Sequence, residues 1–371
     1  MSTAPIRLMV VDDSAYNRRT IQEVFQNHPE VEIVGKAADG EEALRMATML
    51  KPDVITLDLE MPRMDGFTFL RILMAKQATP VIVVSSYAQK ENVFKALELG
   101  ALDFVAKPTA QIAPDAADLR QQILEKVLVV RQLRASAFGP GSGPASGPIS
   151  RKPVSSGYPD RSSGSLPPSP ESVALRASMP YVAPKSVVAI ASSTGGPSAL
   201  LEIFGKIPRN TTAGFVVAQH MPDKFTRTFA ERLDRKGSVR TTEAADGDRV
   251  GKNTGFVCPG RQCMELQQNG TELQLVVGAP KPDDKYIPSA DRLLKSVAKT
   301  VGARAVGVIL TGMGDDGVEG ARAIRDAGGI VIAESQETAV VYGMPGAAVR
   351  AGIPQKVLPL PQIAEYLASL T

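Results

Sequence analysis

Successive apolar runs near the start of the chain end in residues suited to taking up a phosphoryl group. RLMVVDD ends in Asp12 and Asp13, DVITLD ends in Asp58, VIVVSS carries Ser85 at its end and DFVAKP delivers Lys107. A carboxylate attacks phosphorus poorly because both are negative, and a divalent cation held by neighbouring acids removes that repulsion. Mg²⁺ takes a few carboxylates together with water and phosphate oxygens. Asp13 and Asp58 suit direct ligation, with the backbone carbonyl of Glu60 as a third ligand and Asp12 in the outer shell. Lys107 would neutralise one phosphoryl oxygen and Ser85 would hydrogen-bond another. A cis Lys107-Pro108 peptide would help to place the amine. One Asp-Asp pair would be read as solvated loop acids. Acids, hydroxyl and amine in this order point instead to machinery for taking a phosphoryl group onto a carboxylate.

A second group of residues lies beyond position 180. KSVVAIA runs into SSTGGP, so a strand feeds a tight glycine turn, and Pro197 suits the first turn of a helix. Ser193 would then stand at a sheet edge beside backbone N–H groups that can stabilise an oxyanion. The pattern A-S-S-T-G lacks the first glycine of the G-x-S-x-G nucleophile elbow, and a phosphate-binding glycine turn fits it equally well. A nucleophilic serine needs a base. The chain has two histidines: His28 closes an early helix, and His220 ends the run GFVVAQH. His220 can take and return a proton near neutrality. AVGVILTG leads to MGDDG, which brings Asp315 and Asp316 to the same edge, and either could hold the imidazole.

Two α/β alternations must position these residues. The first has strands IRLMVV, VEIVGKA, DVITLD, PVIVVSS and DFVAK separated by amphipathic helices, the pattern of a doubly wound sheet. The second has strands KSVVAIA, GFVVAQH, GFVCPG, LQLVVG, AVGVILTG and IVIAES, again with helices between, and an antiparallel hairpin is expected near 239–277. Both sheets are predicted to be mostly parallel, with chemistry beyond the carboxyl ends of the strands. Between them, 24 of the 35 residues in 136–170 are Gly, Pro or Ser, too few apolar groups to offset ordering entropy, so the stretch reads as a linker.

Composition excludes several classes. The 371 residues carry a net charge of +3 with Lys and Arg scattered, which argues against nucleic acid. No apolar run approaches the roughly 20 residues of a membrane helix, and MSTAPIRLMVVDD lacks a signal-peptide pattern. Cys258 and Cys263 form neither a disulfide framework nor a metal knuckle. A cytoplasmic protein without membrane insertion is expected. No helix-turn-helix pattern follows residue 180, so a DNA-binding output is disfavoured. A nucleotide- or phosphosugar-binding output domain using SSTGGP and TGMGDDG as phosphate loops is the main competitor.

Residues 5–125, with LDLEMPRMDG around Asp58, resemble a two-component response-regulator receiver of flavodoxin-like fold. The resemblance implies phosphorylation of Asp58 by a histidine kinase. The motifs IASSTGGP, VVAQHMPDKFTRTFAERL, PSADRLLKSVAK, GVILTGMGDDG and VYGMPGAA resemble the catalytic domain of the CheB family of chemotaxis protein-glutamate methylesterases. That resemblance implies a Rossmann-like methylesterase domain over 181–371, joined to the receiver by 126–180, the end of a helix and the flexible linker. It also implies Ser193 as nucleophile with Thr194 beside it, His220 as base, Asp316 as orienter and the Met313 N–H as oxyanion donor. The implied substrates are chemoreceptor glutamate γ-methyl esters and, more slowly, receptor glutamines, with Mg²⁺ used in the receiver and no cofactor in the catalytic domain. It further implies that the unphosphorylated receiver covers the active site, with Ser85 and Tyr87 moving on phosphorylation. An inactive relative acting only as a binding module is disfavoured by the intact Ser193, His220 and Asp316. Two departures stand out: family members often have histidine where this chain has Cys263 and again near Tyr286, and they commonly have I-G-A-S where this chain reads I-A-S-S, with Ala191 in place of glycine.

Overall fold

The computed structural model describes residues 4–26, 28–86, 90–107, 115–131, 133 and 181–371. Pro108, Tyr87 and the Gly/Pro/Ser-rich stretch 136–170 lie outside the described residues.

The first domain is a five-stranded parallel sheet in the order β2-β1-β3-β4-β5, the flavodoxin-like order. Its strands are β1 (Ile6–Val11), β2 (Val31–Ala37), β3 (Val54–Leu57), β4 (Val81–Ser86) and β5 (Asp103–Lys107). The helices between them are α1 (Ala15–Phe25), α2 (Gly40–Leu50), α3 (Gly66–Lys76) and α4 (Lys90–Glu98), with α5 (Asp115–Leu128) following β5. Ser14, Asp39 and Asp65 cap the first three by accepting backbone N–H groups, which ends each loop at a defined residue. β3 is buried at every position, as expected of a strand covered by helices on both faces.

The second domain centres on seven strands in the order β14-β13-β12-β6-β7-β9-β8. They are β6 (Ser186–Ser192), β7 (Ala213–Gln219), β8 (Arg240–Glu243), β9 (Thr254–Val257), β12 (Ala305–Ile309), β13 (Ile330–Glu334) and β14 (Lys356–Leu358), and every pairing in this sheet is parallel. The chain builds outward from β6, first toward β7 and later, on the other side, through β12. β6 therefore marks the switch point, where α/β sheets place their binding crevice. The packing helices are α6 (Gly196–Lys206), α7 (Asp223–Lys236), α8 (Ala290–Val301), α9 (Val318–Asp326), α10 (Met344–Arg350) and α11 (Leu360–Ala368).

The antiparallel hairpin expected near 239–277 is shorter than its predicted span. β10 (Cys263–Asn269) and β11 (Glu272–Gly278) pair antiparallel as a separate ribbon turned at Gly270, and one isolated antiparallel bridge joins Arg249 to Gln274. β8 and β9 instead extend the parallel sheet, because β9 hydrogen-bonds to β7 from Phe215↔Gly255 onward. The short runs RTTE and TGFV carry too little pattern to distinguish the two pairings.

Candidate active site

The first domain gathers its acids as expected. One ligand oxygen from each of Asp12, Asp13 and Asp58 lies within 4.8 Å of the others. Asp58 and Asp12 are buried, whereas Asp13 is exposed. Lys107 donates to Asp58 Oδ2 at 2.5 Å, and its ammonium also lies 2.9 Å from Asp12 Oδ2. Asp12 Oδ2 is buried, and this ion pair is its contact with a cation. Asp12 Oδ1 accepts from the Ser14 backbone N–H and from Asn17 Nδ2. Burial pushes the Asp58 carboxyl above its usual range against the pull of Lys107, and the Asp12 charge adds to the rise. Burial alone would lower Lys107, but the two acids outweigh it and hold the ammonium above its usual range. Ser85 is buried at the end of β4, paired in register with Ala106. Glu60 follows two residues after Asp58 and donates its N–H to Asp58 Oδ1 at 3.4 Å. Two buried carboxylates and an exposed one, with oxygens within 4.8 Å of one another, form an oxygen donor set that suits a hard divalent cation.

The second domain brings its residues to the carboxyl ends of β6, β7 and β12. Ser193 follows β6 directly, and Gly195 takes φ +81° to turn the chain into α6. The Ser193 N–H donates to the Thr311 carbonyl at 3.0 Å, and the His220 N–H donates to the Ser192 carbonyl at 3.0 Å. Gly312 must lack a side chain, since a Cβ there would sit 2.8 Å from the Ser193 Cβ. The loop carrying Met313 is thus pressed against the serine, and backbone bonds from Gly312 to Val341 and from Met344 to Gly312 hold it there.

His220 Nε2 and Asp316 Oδ2 are 2.8 Å apart, with the imidazole N–H as donor when the ring is neutral. The Asp316 carboxylate is buried and also accepts the backbone N–H groups of Ala290 at 2.8 Å and Asp291 at 2.9 Å. These are the first two residues of α8, so the helix N-terminus holds the negative charge. Asp315, the other acid left open by sequence, points elsewhere: it is largely exposed and accepts from Lys285 and Tyr286.

Gln219 is a site residue that sequence reasoning missed. It is buried, accepts from the Ser192 hydroxyl at 2.7 Å, and donates to the Ser193 and His220 carbonyls at 3.0 and 2.9 Å. It ties the serine turn to the histidine turn. The available signal was an amide closing an otherwise apolar strand, in VVAQH. Tyr286 was also missed: its ring stacks on His220, with centroids 5.4 Å apart and planes at 13°.

The two domains meet at this edge. The buried Thr194 hydroxyl donates to Asp103 Oδ2 at 2.6 Å, and Lys126 donates to the same oxygen at 2.5 Å. Phe94 of α4 stacks on Phe229 of α7 at 5.6 Å, and Phe104 of β5 packs against Phe225 at 4.6 Å. Arg232 of α7 lies over the Phe94 ring and pairs with Glu91 and Glu98 of α4. On another side of the site, a cleft of about 770 Å³ is lined by β10, the start of α8, Tyr286, Asp315 and Asp316.

The fold and the two strand edges define a response regulator with an α/β output domain. Comparison with known proteins sharpens this. The receiver-domain family of response regulators matches residues 8–116, and the CheB methylesterase family matches residues 188–367. A protein-glutamate methylesterase/protein-glutamine glutaminase of Myxococcus xanthus is 45% identical over 369 residues, covering 100% of this chain and 98% of its own. One of the same name from Geobacter sulfurreducens is 46% identical, covering 98% and 96%. A crystal structure of the Thermotoga maritima CheB methylesterase catalytic domain is 37% identical over 50% of this chain and 98% of its own, with a TM-score of 0.49. The chain belongs to the CheB protein-glutamate methylesterase family. Among the described residues, no helix is long and apolar enough to cross a membrane.

Proposed function

We propose that the chain is a phosphorylation-activated esterase that hydrolyses glutamate γ-methyl esters on chemoreceptors, with receptor glutamines as slower substrates. The observation that carries this reading is the 2.8 Å His220–Asp316 contact at strand ends flanking the one that bears Ser193. With Nε2 engaged by Asp316, Nδ1 is the nitrogen left to take the Ser193 proton. Ser193 Oγ attacks the γ-carbonyl, and the imidazolium returns the proton to departing methanol. Water, deprotonated by the same nitrogen, then releases glutamate and free serine. The Met313 N–H would stabilise the oxyanion, and loss of such a donor typically costs about 3–4 kcal/mol. Ammonia leaves an amide less readily than methanol leaves an ester, so deamidation depends more on proton delivery by His220.

In the receiver, over residues 5–125, Asp13, Asp58 and the Glu60 carbonyl would hold Mg²⁺, with Asp12 in the outer shell. The cation supplies charge neutralisation between Asp58 and an incoming phosphoryl group. Lys107 and Ser85 would then contact the phosphoryl oxygens. A chemotaxis histidine kinase is the natural donor, and the site of action is the cytoplasm. Contacts that would serve a closed state support gating by the receiver: α4 and β5 lie against α7, and Thr194, beside Ser193, donates to Asp103. Lys107 ends the same strand that begins with Asp103 and Phe104, so a phosphoryl group on Asp58 can act on the interface through β5. Swinging such an equilibrium from 1:99 to 99:1 requires about 5.5 kcal/mol of differential interaction. Residues 126–180 would act as the tether.

The test is methanol release from methylated receptor membranes, with and without acetyl phosphate and Mg²⁺. Release that rises with the phosphodonor is expected. Release indifferent to it would remove the gating reading and keep the esterase. No release under either condition would return the second domain to the ligand-binding reading.

A further inference from the structure

His220 is held along its edge by Asp316, and its face is covered by a second, independently anchored group. The Tyr286 ring lies nearly parallel to the imidazole, at 13° and 5.4 Å. Its hydroxyl donates to Asp315 Oδ1 at 3.0 Å, and Lys285 donates to the same oxygen at 2.8 Å. The phenol closes over a loop with no room for a side chain: Gly314 takes φ +88°, and a Cβ there would meet the Tyr286 oxygen at 2.6 Å. Four residues beyond Tyr286, α8 begins, and its first two N–H groups hold Asp316. One short segment, 285–291, therefore sets both the plane of the imidazole and the carboxylate at its edge.

We propose that Tyr286 is a positioning residue for His220, fixing the ring plane and favouring the imidazolium that forms as Ser193 attacks. The idea rests on the reading of His220 as the general base. An aromatic face attracts a cation more than a neutral ring, so the stack strengthens when the imidazole gains its proton. The nearby Lys285 ammonium, 5.0 Å from the Tyr286 ring, would oppose this by itself, but Asp315 lies against it and cancels most of its field. Burial and the Asp315 contact hold the phenol above its usual range, so the ring stays uncharged near neutrality. Asp315 is held below its usual range by Lys285, burial opposing and Tyr286 assisting, and remains the acceptor for both donors.

The experiment compares Tyr286→Phe, Tyr286→Leu and Tyr286→Ala in the full chain. Acetyl phosphate and Mg²⁺ are held saturating, methylated receptor membranes serve as substrate, and kcat and KM are read separately. Phe keeps the ring, Leu keeps apolar bulk without a π face, and Ala keeps neither. The expected result is a kcat about 2- to 30-fold lower in the Leu and Ala variants, the range of a cation–π contact, with KM little changed. Phe should remain within about twofold of the parent. A Leu variant as active as Phe would reduce Tyr286 to packing. A raised KM at unchanged kcat would make it a substrate contact, and either result overturns the proposal. Thermal melting of the three variants identifies any that fail to fold, and the Phe–Leu comparison stands without Ala. His220→Ala is the reference: if it keeps its activity, the base assignment itself falls, whereas an inactive His220→Ala with indifferent Tyr286 variants overturns the positioning role alone.

Discussion

The two strand edges carry the same topological device and opposite electrostatics. In the receiver, three carboxylates gather, and among the described residues one ammonium, that of Lys107, pairs with two of them, Asp12 and Asp58. In the catalytic domain, Asp316 has three donors, and Gln219 meets the Ser192 hydroxyl and the Ser193 and His220 carbonyls. The first edge is incomplete in charge and is built to accept something. The second is assembled in advance, as transition-state stabilisation by fixed dipoles requires. A prebuilt edge leaves little to gain from being assembled on command. Control is then best exerted on access, and the receiver sits against the Thr194 turn, where access would be controlled.

The comparison predicts that the two edges can be broken separately. On the proposed mechanism Ser193→Ala should lower methanol release by about 10⁴-fold or more, because a nucleophile and its base fail as a unit. Phosphorylation of the same variant by acetyl phosphate should be normal, read by phosphate-affinity electrophoresis. Asp316→Asn should lower kcat by about 10³- to 10⁴-fold, since the amide can present the wrong group to the imidazole. Removing Mg²⁺ with a chelator, or replacing Asp58 by Asn, should abolish stimulation by phosphodonor and leave basal release intact. Loss of basal release on chelation would mean that the catalytic edge also depends on a metal, and the contrast between the edges would disappear.

Sequence made one of these edges more legible than the other. Asp58, Asp12, Asp13, Ser85 and Lys107 each close a strand, so strand ends alone bring them together. Ser193 and His220 were readable for the same reason, on β6 and β7. Asp316 was not separable from Asp315 by position. The choice depends on the turn at Gly317, at φ +92°, and on the N-terminus of α8 arriving from 26 residues away. Gln219 closes an apolar strand and Tyr286 stands near where relatives often carry histidine, but the contacts that give them roles join elements distant in sequence. The interface residues Asp103 and Thr194, 91 positions apart, share that difficulty. The hairpin expected over 239–277 took in β8 and β9, because two four-residue runs carry no signal for strand direction.

Gating yields smaller effects than the catalytic edge. The contacts of Phe94 and Phe104 with Phe225 and Phe229 contribute roughly 0.5–1.5 kcal/mol each beyond area burial. Asp103 is the more specific test. Asp103→Ala removes the acceptor of a buried hydroxyl in the closed state only, a loss of about 1–3 kcal/mol. Basal methanol release should rise by roughly 5- to 100-fold, capped by the fully open enzyme, and the stimulation by phosphodonor should shrink in proportion. Unchanged basal release would mean that the closed arrangement does not limit turnover.

Arg232 should matter least, although it makes the most conspicuous polar contacts across the interface. Its partners Glu91 and Glu98 are about half exposed, so water competes for both. Exposed ion pairs are worth about 0.2–1 kcal/mol, and the contact with Phe94 adds about 0.5–1 kcal/mol. With the two carboxylates sharing one guanidinium, Arg232→Ala should therefore raise basal release by about 3- to 30-fold. The ion-pair share of that rise should vanish at about 0.5 M salt, because the Debye length then falls well below 10 Å. The Asp103→Ala effect should persist there, since its hydrogen bond is buried. If Arg232→Ala opened the enzyme as far as Asp103→Ala and did so at any salt, the closed state would be held by the charged rim of α4 and α7, and Thr194 would be only a bystander.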